Sequence, residues 1–117
     1  MNISVADSKK KALLCLKAVK DKKAINPRLL DMKGQSSVAD FVLVCSGSSD
    51  RQVKAIADSV GKELKKMNCY ALGVEGYTEG KWVLEDFGDV IVHIFYESIR
   101  DFYDIERLWP FAEEVDG

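Results

Sequence analysis

The chain has 117 residues, the usual size of one domain, and 47% of them are hydrophobic, as in an ordinary globular fold. Its 17 basic and 19 acidic side chains leave a net charge of −2, whereas proteins that neutralise many phosphates are normally basic. No stretch approaches the roughly 18 apolar residues of a membrane span and no signal peptide is visible, so we expect one cytoplasmic domain over residues 1–117.

The three cysteines, Cys15, Cys45 and Cys69, are odd in number and far apart. Neither a disulfide framework nor the close paired spacing of a zinc site fits this arrangement. Cys15 and Cys45 lie in apolar runs, where a reduced cysteine acts as a small hydrophobe. The sequence therefore predicts no metal and no cofactor.

The first predicted helix covers residues 5–22. Ser4 and Asp7 fit a helix start signal, and Pro27 ends the segment because the residue before proline avoids the helical region. The apolar residues that recur at helical spacing are Ala12, Cys15, Leu16 and Val19.

A second predicted helix follows a short strand at 28–32 and an unbroken apolar run at 41–45. Such a run indicates a central strand that is buried on both faces. Ser49 and Gln52 form a capping box for the helix. Its apolar face is predicted to contain Val53, Ile56, Ala57, Val60, Leu64 and Met67.

Three further strands are predicted at 69–74, 81–87 and 90–96, with Trp82 paired to Phe95 in an antiparallel hairpin. A last helix begins near Ser98, with Asp101 completing its capping signal, and Pro110 stops it. Its buried residues are predicted to be Ile99, Phe102, Ile105 and Trp109. The order of elements predicts an α/β domain with a mixed five-stranded sheet and about three helices.

The turn at 46–49, Ser-Gly-Ser-Ser between a strand and a helix, is a candidate phosphate site because helix amides favour anions. It also resembles the Gly-Ser signature of nucleotidyltransferases, which need two carboxylates one residue apart on a strand to hold magnesium. Glu85 and Asp86 are adjacent, so their side chains point to opposite faces. Asp104 and Glu106 have the spacing but fall on the predicted last helix. A nucleotide-binding or nucleotidyltransferase-like function at this turn remains the alternative hypothesis. The pair of carboxylates that would hold magnesium is missing from the predicted strands.

Two other hypotheses concern His93 and the first helix. His93, the single histidine, and Cys45 have the residue types of a nucleophile–base pair, although a lone strand histidine is usually structural. The first helix is rich in lysine, which suits either a solvated face or an RNA contact. These lysines are Lys9, Lys10, Lys11, Lys17, Lys20, Lys22 and Lys23. The acidic total argues against the RNA contact and favours a basic protein partner.

Trp82 is the most informative residue for binding. Strand alternation places Trp82, Leu84 and Asp86 on one face and Val83, Glu85 and Phe87 on the other. The preceding loop contains Glu75 and Tyr77. An aromatic residue beside acidic groups is typical of a protein-binding hot spot, although burial in the domain's own core is the other interpretation.

Residues 40–53 (DFVLVCSGSSDRQV), 72–76 (LGVEG) and Trp82 closely resemble the ribosomal silencing factor family, also called the Iojap-like family. Residues 88–95 (GDVIVHIF), Arg100, Tyr103 and 106–109 (ERLW) continue the resemblance, which covers essentially the whole chain in order. It implies a nucleotidyltransferase-like α/β domain that has lost its catalytic carboxylates, in agreement with the missing pair of carboxylates.

The resemblance also implies a non-enzymatic function. The protein would bind the fourteenth large-subunit ribosomal protein, block joining of the small subunit and lower translation when nutrients are scarce. The family's aromatic contact matches Trp82, with Leu84, Asp86, Tyr77 and Glu75 as weaker inferences for the partner-binding site. Members are reported as homodimers, so one surface could serve both associations. Little direct RNA contact and no membrane partner are expected.

Overall fold

A computed structural model describes residues 5–35 and 38–116, with side chains from Asp7 onward. The helices are α1 (Val5–Asp21), α2 (Asp50–Lys65) and α3 (Glu97–Tyr103), followed by a 3₁₀ turn at Ile105–Leu108. The strands are β1 (Ile25–Asp31), β2 (Phe41–Gly47), β3 (Gly73–Glu75), β4 (Trp82–Asp86), β5 (Val90–Tyr96) and β6 (Glu113–Val115). Ser4, the predicted start signal of α1, lies outside the described residues.

A single mixed sheet joins these strands in the order β3-β4-β5-β2-β1-β6. The β2–β5 pair is parallel and the other pairs are antiparallel, which confirms the predicted α/β class. Among the described residues the sheet has six strands instead of the predicted five, because β6 pairs with β1 through Leu29 and Val115. Its three residues carry no strand pattern of their own, so pairing with β1 alone defines them.

Strand β2 lies at the centre of the sheet, and all seven of its residues are buried. Its alternate side chains enter two different apolar clusters. Leu43 and Cys45 face the layer made by α1 and α2, whereas Val42 and Val44 face α3 and the 3₁₀ turn. The predicted central strand, buried on both faces, is therefore confirmed.

Helix α2 packs on the sheet through an apolar face that the spacing predicted. Ser49 Oγ accepts a hydrogen bond from the Gln52 amide at 3.0 Å, which confirms Ser49 as the cap. The other half of the predicted capping box differs, because Gln52 Oε1 accepts from the Ser48 amide and not from that of Ser49. Met67, predicted on the same face, instead follows the end of the helix and is 38% exposed. The buried residues of α2 are Val53, Ile56, Ala57, Val60 and Leu64.

The predicted last helix is broken in two. Asp104 ends α3 in the left-handed region, with φ 44°, and the 3₁₀ turn follows in a new direction. Consequently Ile99, Ile105 and Trp109 pack on the sheet as predicted, but Phe102 is 79% exposed. The Ser98 and Asp101 capping signal is also wrong, because α3 begins directly after β5 without a side-chain cap.

Two other boundaries and the exposure of one lysine differ from the predictions. The strand predicted at 28–32 is β1, Ile25–Asp31, and begins before Pro27. The strand predicted at 69–74 is reduced to β3, Gly73–Glu75, because only these residues pair with β4. Lys11, counted among the surface lysines, is instead buried in an ion pair with Asp89 that connects α1 to the β4–β5 turn.

Within residues 5–35 and 38–116, the helices are too short or too polar to cross a membrane.

Candidate partner-binding face

The side of the sheet that carries α3 is left uncovered over β3, β4 and the start of β5. Cross-strand register places Leu84 between Glu75 on β3 and His93 on β5, and pairs Asp86 with Ile91. Directly opposed residues share a face of the sheet. We call this surface the open face and define it by residues Glu75, Trp82, Leu84, Asp86 and Ile91.

Trp82 lies where the open face meets α3, and it is half-buried. Its ring stacks on Phe95 at a centroid distance of 4.8 Å and lies 5.1 Å from the ring of Tyr103. Its indole Nε1 donates a hydrogen bond to His93 Nδ1 at 3.1 Å. The domain's own packing therefore orients the indole, and its remaining surface is presented to solvent in a fixed position.

His93 supports Trp82 from beneath. Burial lowers the pKa of His93 to about 4, so the imidazole is neutral at pH 7. Because Nδ1 accepts the indole proton, the neutral ring carries its own proton on Nε2. The role of His93 in the fold is thus to hold the tryptophan.

The structure separates Tyr77 from the other predicted site residues. Its hydroxyl donates to Asp58 Oδ2 of α2 at 3.1 Å, and Lys54 lies 6.0 Å from its ring centroid. Those contacts lie on the side of the sheet that is covered by α1 and α2, opposite the open face. Trp82, Leu84, Asp86 and Glu75 come together on the open face, and Tyr77 does not.

Sequence reasoning missed two contributors to this surface. Ile91 is half-buried beside Asp86, and Tyr103 closes the aromatic group around Trp82. The alternation of β5 was a usable signal for Ile91, since it shares a face with His93. Phe102 was assigned to a buried helix face and Tyr103 was given no place in the site, so the exposed aromatic pair at the end of α3 was not predicted.

The turn at 46–49 does not form an open phosphate cradle. The Ser48 amide donates to Gln52 Oε1 at 2.6 Å, and the Gln52 amide donates to Ser49 Oγ. A Cβ added to Gly47 would lie 3.0 Å from Val53, so that glycine serves the close packing of turn and helix. Side chains of the turn itself thus accept the hydrogen bonds of the backbone amides that would otherwise bind an anion.

The candidate catalytic groups are also kept apart. Glu85 is buried beneath α2, while Asp86 lies on the open face and accepts from the Gly88 amide at 2.8 Å. Burial, reinforced by Asp58, raises the pKa of Glu85 to about 8. Among the described residues, no group of three or more histidine, cysteine or acidic side chains could hold a metal ion.

The Cys45–His93 pair is excluded by the sheet register. Cys45 pairs with Ile94 and faces α1 and α2, whereas His93 pairs with Val44 and faces the other side. Burial also raises the pKa of Cys45 to about 12, so the thiol stays protonated. Cys15 is a buried free thiol as well.

These features define a small α/β domain with one half-open sheet face that presents a fixed aromatic residue. The sequence profile described as "Ribosomal silencing factor during starvation" matches residues 5–117. The chain therefore belongs to the ribosomal silencing factor family, as its resemblance predicted.

Individual relatives support this membership. The chain is 44% identical over 103 residues to ribosomal silencing factor RsfS of Halalkalibacterium halodurans, covering 88% of both sequences. It is 42% identical over 99 residues to the protein of that name from Bacillus subtilis, covering 85% of this chain and 84% of the relative.

A crystal structure from Bacillus halodurans superposes with a TM-score of 0.82 at 40% identity, covering 93% of this chain and 99% of the other. A more distant mouse relative, 29% identical over 73 residues, is named "Mitochondrial assembly of ribosomal large subunit protein 1". The match covers 60% of this chain and 32% of that protein.

Proposed function

We propose that the protein silences ribosomes in the cytoplasm by binding the large subunit through its fourteenth ribosomal protein and obstructing the small subunit. The open face is the proposed contact. Inhibition of this kind requires no chemistry, because it depends on occupying a surface that the two subunits must share. A binding role agrees with two features of the structure. The candidate catalytic groups lie apart, and the backbone amides of the 46–49 turn already donate to side chains of the chain itself.

The observation that carries the proposal is the presentation of Trp82. A tryptophan held by a hydrogen bond and two ring contacts loses little conformational freedom when a partner covers it. Glu75 and Asp86 place negative charge on the same face, near Leu84, which complements a basic ribosomal protein. Family membership and the name of the mouse relative support the large subunit as the partner.

Sedimentation with separated ribosomal subunits tests this proposal. We expect the protein to migrate with the large subunit and to reduce formation of whole ribosomes when small subunits are added. Migration at the top of the gradient with normal subunit joining would refute the proposal.

A matched pair of variants locates the contact. Leu84→Lys places a charge on the open face, and Val74→Lys places one on the opposite face of the adjacent strand. We expect the first to weaken large-subunit binding by roughly tenfold or more, and the second to leave it within a factor of about two. Equal effects of the two variants would contradict the assignment of the face.

Trp82 needs a separate comparison, because it packs against its own domain. We expect Trp82→Ala to abolish binding and also to lower the melting temperature, since it removes the contacts to His93, Phe95 and Tyr103. Trp82→Phe keeps a ring on Phe95 but removes the indole, so it separates binding from folding. Full binding by a folded Trp82→Phe variant together with full binding by Leu84→Lys would place the contact elsewhere.

Self-association through the same face is part of the proposal. A half-open apolar surface suits a second copy as well as a ribosomal protein. Sedimentation velocity with the Leu84→Lys variant measures it. If the wild-type protein dimerises through the open face, the variant is expected to sediment as a monomer.

A further inference from the structure

The outer face of α1 carries a compact group of lysines. Lys9, Lys10 and Lys17 are exposed, and we call these three residues the basic stripe. They surround a shallow depression of about 500 Å³ whose floor is formed by Leu13 and Leu14, both half-buried. At about 100° per residue, all five side chains fall within an arc of roughly 140° of the helix.

This face is distinct from the lysines that serve the fold. Lys11 projects from the opposite side of α1 and is buried against Asp89. Within residues 5–35 and 38–116, the ion pairs involve none of the three stripe lysines. Their charges are therefore presented to solvent.

The charge of the chain is strongly uneven. Residues 9–23 contain seven lysines and a single acidic residue, Asp21, although the whole chain has a net charge of −2. Lys9 and Lys17 are eight residues apart, which corresponds to about 12 Å along the helix axis. In duplex DNA one strand carries a phosphate about every 3.4 Å along the axis, and on that spacing the stripe spans roughly three to four phosphates.

We propose that the basic stripe contacts the sugar–phosphate backbone of double-helical RNA while the open face holds its protein partner. This inference rests on the proposed function, because a large subunit supplies both surfaces together. α1 lies on the other side of the sheet from the open face, so both contacts are sterically compatible. A second weak contact on the same body raises the overall affinity through effective concentration.

A lipid surface fits the stripe less well. Helices that lie in a membrane interface insert a wide apolar face. The apolar face of α1 is turned into the core through Ala12, Cys15, Leu16 and Val19, which leaves only the half-buried Leu13 and Leu14 for insertion. From sequence, the acidity of the whole chain argues against an RNA contact by the lysines of the first helix. The structure adds that three of these lysines share one exposed face of α1.

Binding to a short RNA hairpin, followed by fluorescence anisotropy, tests the proposal. The test variant is Lys9→Gln/Lys10→Gln/Lys17→Gln. The control is Lys33→Gln/Lys62→Gln/Lys65→Gln, which removes the same charge from other exposed positions. Three phosphate contacts predict a roughly 20- to 40-fold loss of wild-type affinity between 50 and 200 mM salt. We expect the test variant to lose this dependence and the control to keep it.

The result that overturns the proposal is equal hairpin binding by the two triple variants, or no measurable binding by the wild-type protein at 50 mM salt. Binding to vesicles containing phosphatidylserine, without binding to the hairpin, would also overturn it in favour of a membrane surface. Melting temperatures of both triple variants verify that they are folded.

Two separate binding measurements distinguish a failure of this inference from a failure of the proposed function. Binding to the isolated fourteenth ribosomal protein measures the open face alone. The lysine variant is expected to retain that binding and to lose hairpin binding, whereas Leu84→Lys is expected to do the reverse. Loss of both activities in either variant would contradict two separate surfaces.

Discussion

The burial of His93 makes the stability of the domain sensitive to acid. The folded pKa of His93 is about 4, below the ordinary value of 6.5, because the ring is buried. Between these values the unfolded chain binds a proton that the folded chain does not, so stability falls as the pH falls from 6.5 towards 4. The stabilising contribution is fully present above pH 6.5.

Chemical denaturation at pH 7 and pH 5 measures this effect. We expect the free energy of unfolding of the wild-type protein, relative to that of His93→Gln, to be lower at pH 5 than at pH 7, because glutamine does not titrate. Parallel pH profiles of the two proteins would show that His93 is not protonated preferentially in the unfolded chain.

Glu85 produces the opposite dependence on pH. Its carboxyl is buried beneath α2, and its Oε1 has no hydrogen-bond partner among the described residues. Burial, together with Asp58, raises its folded pKa from 4.5 to about 8. The folded chain therefore binds the proton more tightly, and stability falls as the pH rises from 4.5 to 8.

Substitution of this carboxyl by an amide is expected to be stabilising at neutral pH. Glu85→Gln keeps the shape of the side chain and needs no proton uptake on folding, so its melting temperature should exceed that of the wild type at pH 8 and match it near pH 4. A melting-temperature difference that is the same at both pH values would contradict the buried, shifted carboxyl.

At the scale of elements, a charged network attaches α3 and the 3₁₀ turn to the sheet. Arg100 is buried, donates to Glu106 Oε1 at 2.9 Å, and also donates to the Asn26 carbonyl at 2.7 Å. Glu106 in turn pairs with Arg28 of β1 at 2.6 Å. Arg28 also reaches Glu114 of β6, at 2.9 Å, on the exposed side of the network.

Two substitutions in this network are expected to differ sharply. Glu106→Ala leaves the buried Arg100 without its carboxylate and should cost about 3 kcal/mol. Glu114→Ala removes an exposed pair and should cost less than about 1 kcal/mol. Urea denaturation of both variants checks the prediction, and similar midpoints would mean that Glu106 is not the anchor of α3.

At the scale of the whole molecule, the two apolar clusters share one sheet. Phe41, Leu43 and Cys45 of β2 enter one cluster, and Val42 and Val44 enter the other. Neither cluster can be disrupted without breaking the strand that supports the other. We therefore expect the domain to unfold as one cooperative unit.

Two spectroscopic probes test this cooperativity. Trp82 and Trp109 pack in the cluster beneath α3, whereas far-ultraviolet circular dichroism is dominated by α1 and α2 on the other side. The fluorescence and dichroism transitions should coincide in urea. A fluorescence transition at lower urea would show that the α3 side opens independently.

Local sequence patterns predicted the elements whose structure depends on their own residues. The unbroken apolar run of β2 and the periodic face of α2 are strong local signals, and both are confirmed. The pairing of Trp82 with Phe95 also followed from sequence, because the short connection at Gly88 and Asp89 leaves one natural register. The family was recognisable from the same segments.

Tertiary structure alone decided the rest. β6 exists because β1 offers an edge for it, and α3 ends where Asp104 adopts a left-handed conformation, which no periodicity encodes. The separation of Tyr77 from the open face, and of Lys11 from the basic stripe, depends on which distant element each side chain meets. Sequence determines the faces of each element, but only packing between distant segments determines which of those faces remain open to a partner.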